Sequence, residues 1–212
     1  MIDRLSSGHA RFDELVGGGL PAPAINLIAG APGTGKTMLA EQFAFHNASP
    51  ERPAVYLSTT TEPIDKLIRY GQALSFFDKG MIGTSVLYES LLQPLLTDGL
   101  QAVLERILEL LRDVRPGILV FDSFRAFRPF AVDDLAYRAF VAELAGRLAA
   151  TQTSAFWVGE YAHDEVALTV EAAVADAIIV LRAAHEGQRT LRLLEVSKLR
   201  GSQSLSGSTR TA

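Results

Sequence analysis

Eight consecutive residues, Gly30-Ala31-Pro32-Gly33-Thr34-Gly35-Lys36-Thr37, carry the strongest chemical signal in the chain. Their spacing is G-x-x-x-x-G-K-[ST], the pattern of a loop that wraps a phosphate. Gly30 and Gly35 permit backbone angles and a close approach that a Cβ would block, so successive N–H groups can turn inward around an anion. Lys36 brings a point charge to the β- and γ-phosphates, and the Thr37 hydroxyl is the expected Mg²⁺ ligand. A helix starting at the loop's end directs its positive pole at the same anion. The expected nucleotide contacts are Gly30, Ala31, Pro32, Gly33, Thr34, Gly35, Lys36, Thr37 and the next residue, Met38. A second candidate, Asp122, closes the apolar run Ile118-Leu119-Val120-Phe121. A carboxylate at the carboxyl end of a buried strand suits a position that holds Mg²⁺ directly or through water. Its bland alternative is a cap on the following turn.

These residues need a scaffold, and the flanking patterns supply one. Ile25 to Ala29 reads as a short apolar strand, and Met38, Leu39, Phe43 and Ala44 recur at helical spacing. Strand, loop and helix in that order favour the phosphate loop over an ordinary Gly/Pro turn. Further strands are expected at Ala54–Ser58, 84–88, 118–121 and 154–158, the last closed by Gly159-Glu160. Pro63 sits where a helix carrying Ile64, Leu67, Ile68 and Leu74 could begin. A loop is expected around Pro94, after which Asp98 can cap an amphipathic helix with Leu100, Val103, Leu104, Ile107, Leu108 and Leu111 on one face. Asp133 or Asp134 can cap the next helix, expected to bury Leu135, Phe140, Val141, Leu144 and Leu148. The segments 177–181 and 190–196 flank Glu186-Gly187-Gln188 as an antiparallel hairpin. Helices alternating with apolar strands predict an α/β fold with an open, mainly parallel sheet. One domain over 1–201 is expected, followed by a flexible tail at 202–212 with hardly an apolar residue.

Composition narrows the function classes. The chain has 212 residues, 48% of them hydrophobic, and no cysteine, which excludes a disulfide scaffold and any thiolate metal site. No basic n-region followed by an apolar core marks the start, and no apolar run is long enough to span a bilayer. A cytoplasmic protein with no membrane partner is expected. The net charge of -4 gives no overall attraction to nucleic acid. His9, His46, His163 and His185 have no ligand-like spacing.

The Gly-rich entry Phe12-Asp13-Glu14-Leu15 with Gly17-Gly18-Gly19-Leu20-Pro21 resembles that of KaiC-type ATPases, a branch of the RecA superfamily. So do the phosphate loop, Asp122-Ser123 and the exit Lys198-Leu199-Arg200-Gly201. The similarity runs from about Arg4 to Gly201. It implies a RecA-like P-loop fold, ATP and Mg²⁺, and a homo-oligomer, often a hexameric ring with nucleotide at its subunit interfaces. It also implies that Lys198 and Arg200 reach a neighbouring subunit's γ-phosphate, a charge clamp completed in trans. The alternative is two solvated basic residues after an edge strand.

Two departures from the family pattern matter. Paired glutamates are expected just before a Thr-Pro at the end of the strand after the phosphate-loop helix, and Thr60 and Thr61 stand there. Threonine cannot take a proton from water at neutral pH. Glu62 either takes over, if the strand persists and puts it on the face of Thr60, or caps the next helix. Glu160, at another sheet end, is a further candidate for positioning water. The second departure is 202–212, which does not follow the family's usual last strand. The reading is an ATP-binding switch or assembly factor with slow ATP hydrolysis and an unidentified protein partner. Its alternatives are a regulatory module that binds ATP without hydrolysis, and a RecA/RadA-like DNA-recombination accessory ATPase. The last rests on Phe124-Arg125-Ala126-Phe127-Arg128, where cations and aromatics could hold single-stranded DNA.

Overall fold

The computed structural model describes residues 3–186, 189–201 and 209–211. In chain order the strands and α-helices are β1 (Asp3–Leu5), α1 (Ala10–Leu15), β2 (Leu20–Ala22), β3 (Ile25–Gly30), α2 (Lys36–Asn47), β4 (Ala54–Ser58) and α3 (Ile64–Gly71). There follow β5 (Val86–Ser90), α4 (Leu92–Asp113), β6 (Ile118–Asp122), α5 (Asp134–Ala149), β7 (Ser154–Glu160) and α6 (Val170–Val174). The chain closes with β8 (Ala177–Glu186), β9 (Arg189–Leu199) and β10 (Thr209–Thr211). β1 and β2 pair with each other, and the remaining strands form one sheet in the order β10-β9-β8-β3-β7-β6-β4-β5. From β8 to β5 every neighbouring pair is parallel, whereas β9 and β10 run antiparallel.

Strand periodicity builds two cores, one on each face of this sheet. Successive strand residues point to opposite faces. Leu27, Val55, Leu57, Leu119, Phe121 and Trp157 therefore pack against α4, α5 and the 3₁₀ segment Phe124–Phe130. Their neighbours Ile28, Tyr56, Val120, Phe156 and Val158 pack against α1 and α2 through Phe12, Val16, Phe43 and Ala44. Because both faces are covered, these strands read as continuous apolar runs, as parallel strands do. All the parallel strands point their carboxyl ends the same way, and β3 delivers the phosphate loop to that edge, where open α/β sheets bind ligands.

Several local expectations are corrected. The segment around Pro94 is helical: α4 starts at Leu92, which puts Pro94 in the first turn, where its missing N–H costs nothing. Burial of Leu91 and Leu95 fixes that early start. Asp98 is then not a cap but lies within α4, just before a break at Gly99 (φ 70°, ψ −152°). α5 is capped by Asp133, whose carboxylate accepts from the Ala136 N–H, and Leu135 lies 75% exposed rather than in the core. α3 ends at Gly71, before Leu74. The hairpin strands are longer than expected, with Gly187 and Gln188 outside the described residues. Of the tail, residues 202–208 and 212 lie outside the described residues, and Thr209–Thr211 pair with Arg192–Leu194 of β9. No helix among the described residues is long and apolar enough to cross a membrane.

Candidate functional site

The phosphate loop leaves β3 at Gly30 and turns into α2 at Gly35, which adopts φ 99° as the N-cap residue. A Cβ on Gly30 would lie 2.2 Å from the Leu181 carbonyl oxygen, so the close approach of β8 requires glycine there. Gly33 and Gly35, at φ 76° and 99°, take the left-handed backbone that favours glycine. The loop braces itself: the Thr34 hydroxyl and the Lys36 ammonium both donate to the Ala31 carbonyl, at 2.8 and 2.9 Å. Lys36 is 8% exposed. Burial lowers its pKa from the usual lysine range, and the Glu160 and Asp122 carboxylates pull the other way.

A cavity of about 360 Å³ opens at this loop. Of the expected nucleotide contacts, Pro32, Gly33, Gly35, Lys36, Thr37 and Met38 line it. Gly30, Ala31 and Thr34 do not, and they shape the loop from behind. Met38, 38% exposed, faces the cavity rather than the core.

Asp122 lies at the carboxyl end of β6 and faces the start of α2. Its Oδ2 accepts from the Thr37 hydroxyl at 2.6 Å, and the same oxygen accepts from the Tyr56 phenol. With its proton committed to Asp122, Thr37 Oγ1 keeps its lone pairs for a cation. The backbone around Asp122 is pinned by Thr59, whose hydroxyl accepts from Ser123 N at 2.9 Å and donates to Ser123 O at 2.8 Å. Among the described residues no group of three His, Asp or Glu could hold a metal alone. Thr37 with Asp122 instead matches the way Mg²⁺ is held, by one or two protein oxygens plus phosphates and water. The donor set and the cavity lined by the loop fit Mg²⁺ with a nucleotide.

The structure separates the other candidates. Glu160, across the register from Gly30, lines the cavity. Glu62 lines it too, but β4 stops at Ser58, so the strand does not carry Glu62 onto the face of Thr60. Nor does it cap α3, which has no side-chain cap; its carboxylate pairs with Lys66 at 2.7 Å. Thr60 lines the cavity, and its hydroxyl lies 3.2 Å from that of Ser58. Lys198 and Arg200 lie away from this cavity. Lys198 is level with Ile178 across the hairpin, whereas the phosphate loop is level with Leu181. That places it about 10 Å back along the sheet at ~3.3 Å per residue. Neither residue is merely solvated. Lys198 donates to the Ala172 carbonyl of α6 at 3.0 Å, and Arg200 pairs with Asp176 at 3.2 Å.

Phe124 and Phe127 are wholly buried, Phe124 stacking on Trp157 at 4.1 Å, so neither offers a ring to a base. Arg125 lies over the Tyr161 ring and donates to the Glu160 carbonyl at 2.6 Å, while Arg128 lies over Tyr137 and pairs with Asp134. The stacking rings that the DNA-binding alternative needs are thus absent at Phe124 and Phe127. Sequence reasoning missed Tyr56, Thr59 and Arg192, the last of which enters the cavity from β9. For Tyr56 a signal existed: a phenol inside a fully apolar strand needs a partner for its hydroxyl.

The KaiC ATPase family model matches residues 5–209. Among curated proteins, the circadian clock oscillator protein KaiC 1 of Synechocystis sp. is 28% identical over 208 residues, covering 92% of this chain and 40% of that protein. A UPF0273 protein of Pyrococcus horikoshii is 28% identical over 137 residues, 58% of this chain and 55% of its own length. Among solved structures, a KaiC-like protein of Pyrococcus horikoshii superposes with a TM-score of 0.82 at 22% identity, covering 99% of this chain and 95% of the other. The chain thus spans about two fifths of the clock protein, 40% of its length, and it shares the RecA-like fold of the archaeal structure.

Proposed function

The chain belongs to the KaiC family of ATPases, and on that premise we propose that it is a slow, nucleotide-operated switch or assembly factor. It binds Mg²⁺-ATP in the phosphate-loop cavity and works as a homo-oligomer, with a hexameric ring as the expected form. The observation that carries this reading is the meeting of Thr37 and Asp122 beside Lys36, in a cavity that Thr60 also lines. Lys36 and the loop N–H groups bind and orient the phosphates. Thr37 and Asp122 hold Mg²⁺, which when bound neutralises phosphate charge and stabilises the leaving group. Thr60 cannot take a proton from the attacking water, and Glu62 is engaged by Lys66. Glu160 also lines the cavity, and on this reading it positions that water. Lys198 and Arg200 lie too far back along the sheet for their own chain's phosphates, which supports their action on a neighbour's nucleotide.

The test is thermal stability with and without Mg²⁺-ATP. At ATP near a hundred times Kd the linkage is worth ~2.7 kcal/mol, roughly 5–10 °C for a domain of this size. Lys36→Ala should abolish most of that rise and leave the apo melt close to wild type. An equal rise in the variant removes the phosphate-loop assignment.

A further inference from the structure

Three elements converge behind Asp122. Tyr56 on β4 is 2% exposed, and its hydroxyl meets Asp122 Oδ2. Its ring lies against Tyr88 of β5 at 5.1 Å. The Tyr88 hydroxyl donates to Glu41 Oε1 at 3.0 Å, and Glu41 lies one turn beyond Thr37 on α2. The Tyr56 ring is therefore fixed by packing from one side, and its hydroxyl reaches the edge of the cavity.

We propose that Tyr56 is a positioning residue for Asp122, holding its carboxylate in the one orientation that serves both Thr37 and the metal. This rests on the Mg²⁺-ATP reading above. A carboxylate offers about four lone-pair positions. Thr37 and Tyr56 occupy two of them, both on Oδ2, and among the described residues no hydrogen bond is made to Oδ1. That division leaves Oδ1 unengaged on a residue that lines the cavity, where it would serve a bound metal directly or through water. Without the phenol, Thr37 alone fixes the group, and a single hydrogen bond permits rotation about the Cβ–Cγ bond. Phenylalanine would fill the same space in the aromatic layer. The hydroxyl is the part of the side chain that packing does not require.

Outer partners of metal-binding groups are typically worth about 10–100-fold in metal affinity. The experiment titrates Mg²⁺ at fixed, saturating ATP and follows the melting temperature, with an ATP-plus-EDTA arm. For Tyr56→Phe the Mg²⁺ midpoint should rise by about 10-fold or more. The shift in EDTA should be unchanged, and excess Mg²⁺ should restore the full wild-type shift. Tyr88→Phe removes a hydroxyl from the same layer without touching Asp122. It should lower the apo melt and leave the midpoint within about twofold. An unmoved midpoint in Tyr56→Phe, or an equal displacement in Tyr88→Phe, overturns the positioning role. A wild-type protein with no Mg²⁺-dependent shift overturns the nucleotide reading itself, and the role of Tyr56 falls with it.

Discussion

Replacing Glu41 by glutamine should flatten the fall of stability with pH. Glu41 is 4% exposed, and its carboxylate accepts a hydrogen bond from the Tyr88 hydroxyl. Burial raises its pKa to about 7, the Tyr88 bond lowers it in part, and the Asp122 charge raises it further. In the unfolded chain the same group titrates near 4.5. Between those values the folded protein keeps a proton that the unfolded chain has lost, so stability falls as pH rises through the window. Below it both states are protonated, and above it both are ionised. The window spans about 2.5 pH units, worth roughly 3 kcal/mol at 1.36 kcal/mol per unit, an order-of-magnitude figure. Glu41→Gln keeps an oxygen for Tyr88 and never ionises. Its unfolding free energy, relative to wild type, should therefore gain progressively from pH 5 to 8 and level off above. Asp122, Tyr56 and Tyr88 are present in both proteins, so their contributions largely cancel in the difference. Urea denaturation in EDTA without nucleotide, at half-unit pH steps, measures it. Parallel curves for the two proteins from pH 5 to 8.5 would refute the reasoning.

Arg200→Ala should weaken ATP-dependent assembly in sedimentation while keeping the ATP-induced rise in melting temperature. The Arg200–Asp176 pair is 58% and 31% exposed, and such pairs contribute at most about 1 kcal/mol, so the fold survives its loss; unchanged assembly would count against action in trans. Thr60→Glu with Thr61→Glu should raise phosphate release by about 10²–10⁴ if only the base is missing. No rise, with the ATP shift intact, would place the limit elsewhere.

The strands were legible in the sequence because burial on both faces of a parallel sheet leaves little choice of residue. Ile118–Asp122 and Ala54–Ser58 announce themselves as short apolar runs. The phosphate loop was legible because each glycine answers a local backbone demand. What could not be read is which side chains meet. The partners Tyr56 and Asp122 are 66 residues apart, and Thr59 and Ser123 are 64 apart. They meet only because β4 and β6 pair with Ser58 opposite Asp122. The burial of Glu41 leaves no signal in the sequence, since α2 is covered on more sides than one amphipathic face would suggest. The start of α4 was missed because Pro94 usually signals a break, and only the burial of Leu91 and Leu95 overrides that signal.

The course of the chain after β4 explains how the neighbouring glutamate comes to pair with Lys66 at the rim of the cavity. The Ser58 carbonyl accepts from Leu91 N at 2.7 Å, and Thr59 N donates to the Asp122 carbonyl at 2.9 Å. The Thr59 side chain then turns to Ser123. These bonds tie the strand end to β5 and β6 and steer residues 60–62 out of the sheet. Glu62 thus joins the entry to α3, where Lys66 lies four residues on and engages its carboxylate. The same bonds that hold Asp122 in place thereby leave Thr60 facing the cavity. On the proposed reading, phosphate binding and metal holding keep their electrostatics while proton removal does not. General-base positioning is worth about 10²–10⁴ in rate. Bound ATP would then outlast encounters between subunits, and a long-lived nucleotide state is what a switch completed by a neighbour's Lys198 and Arg200 requires.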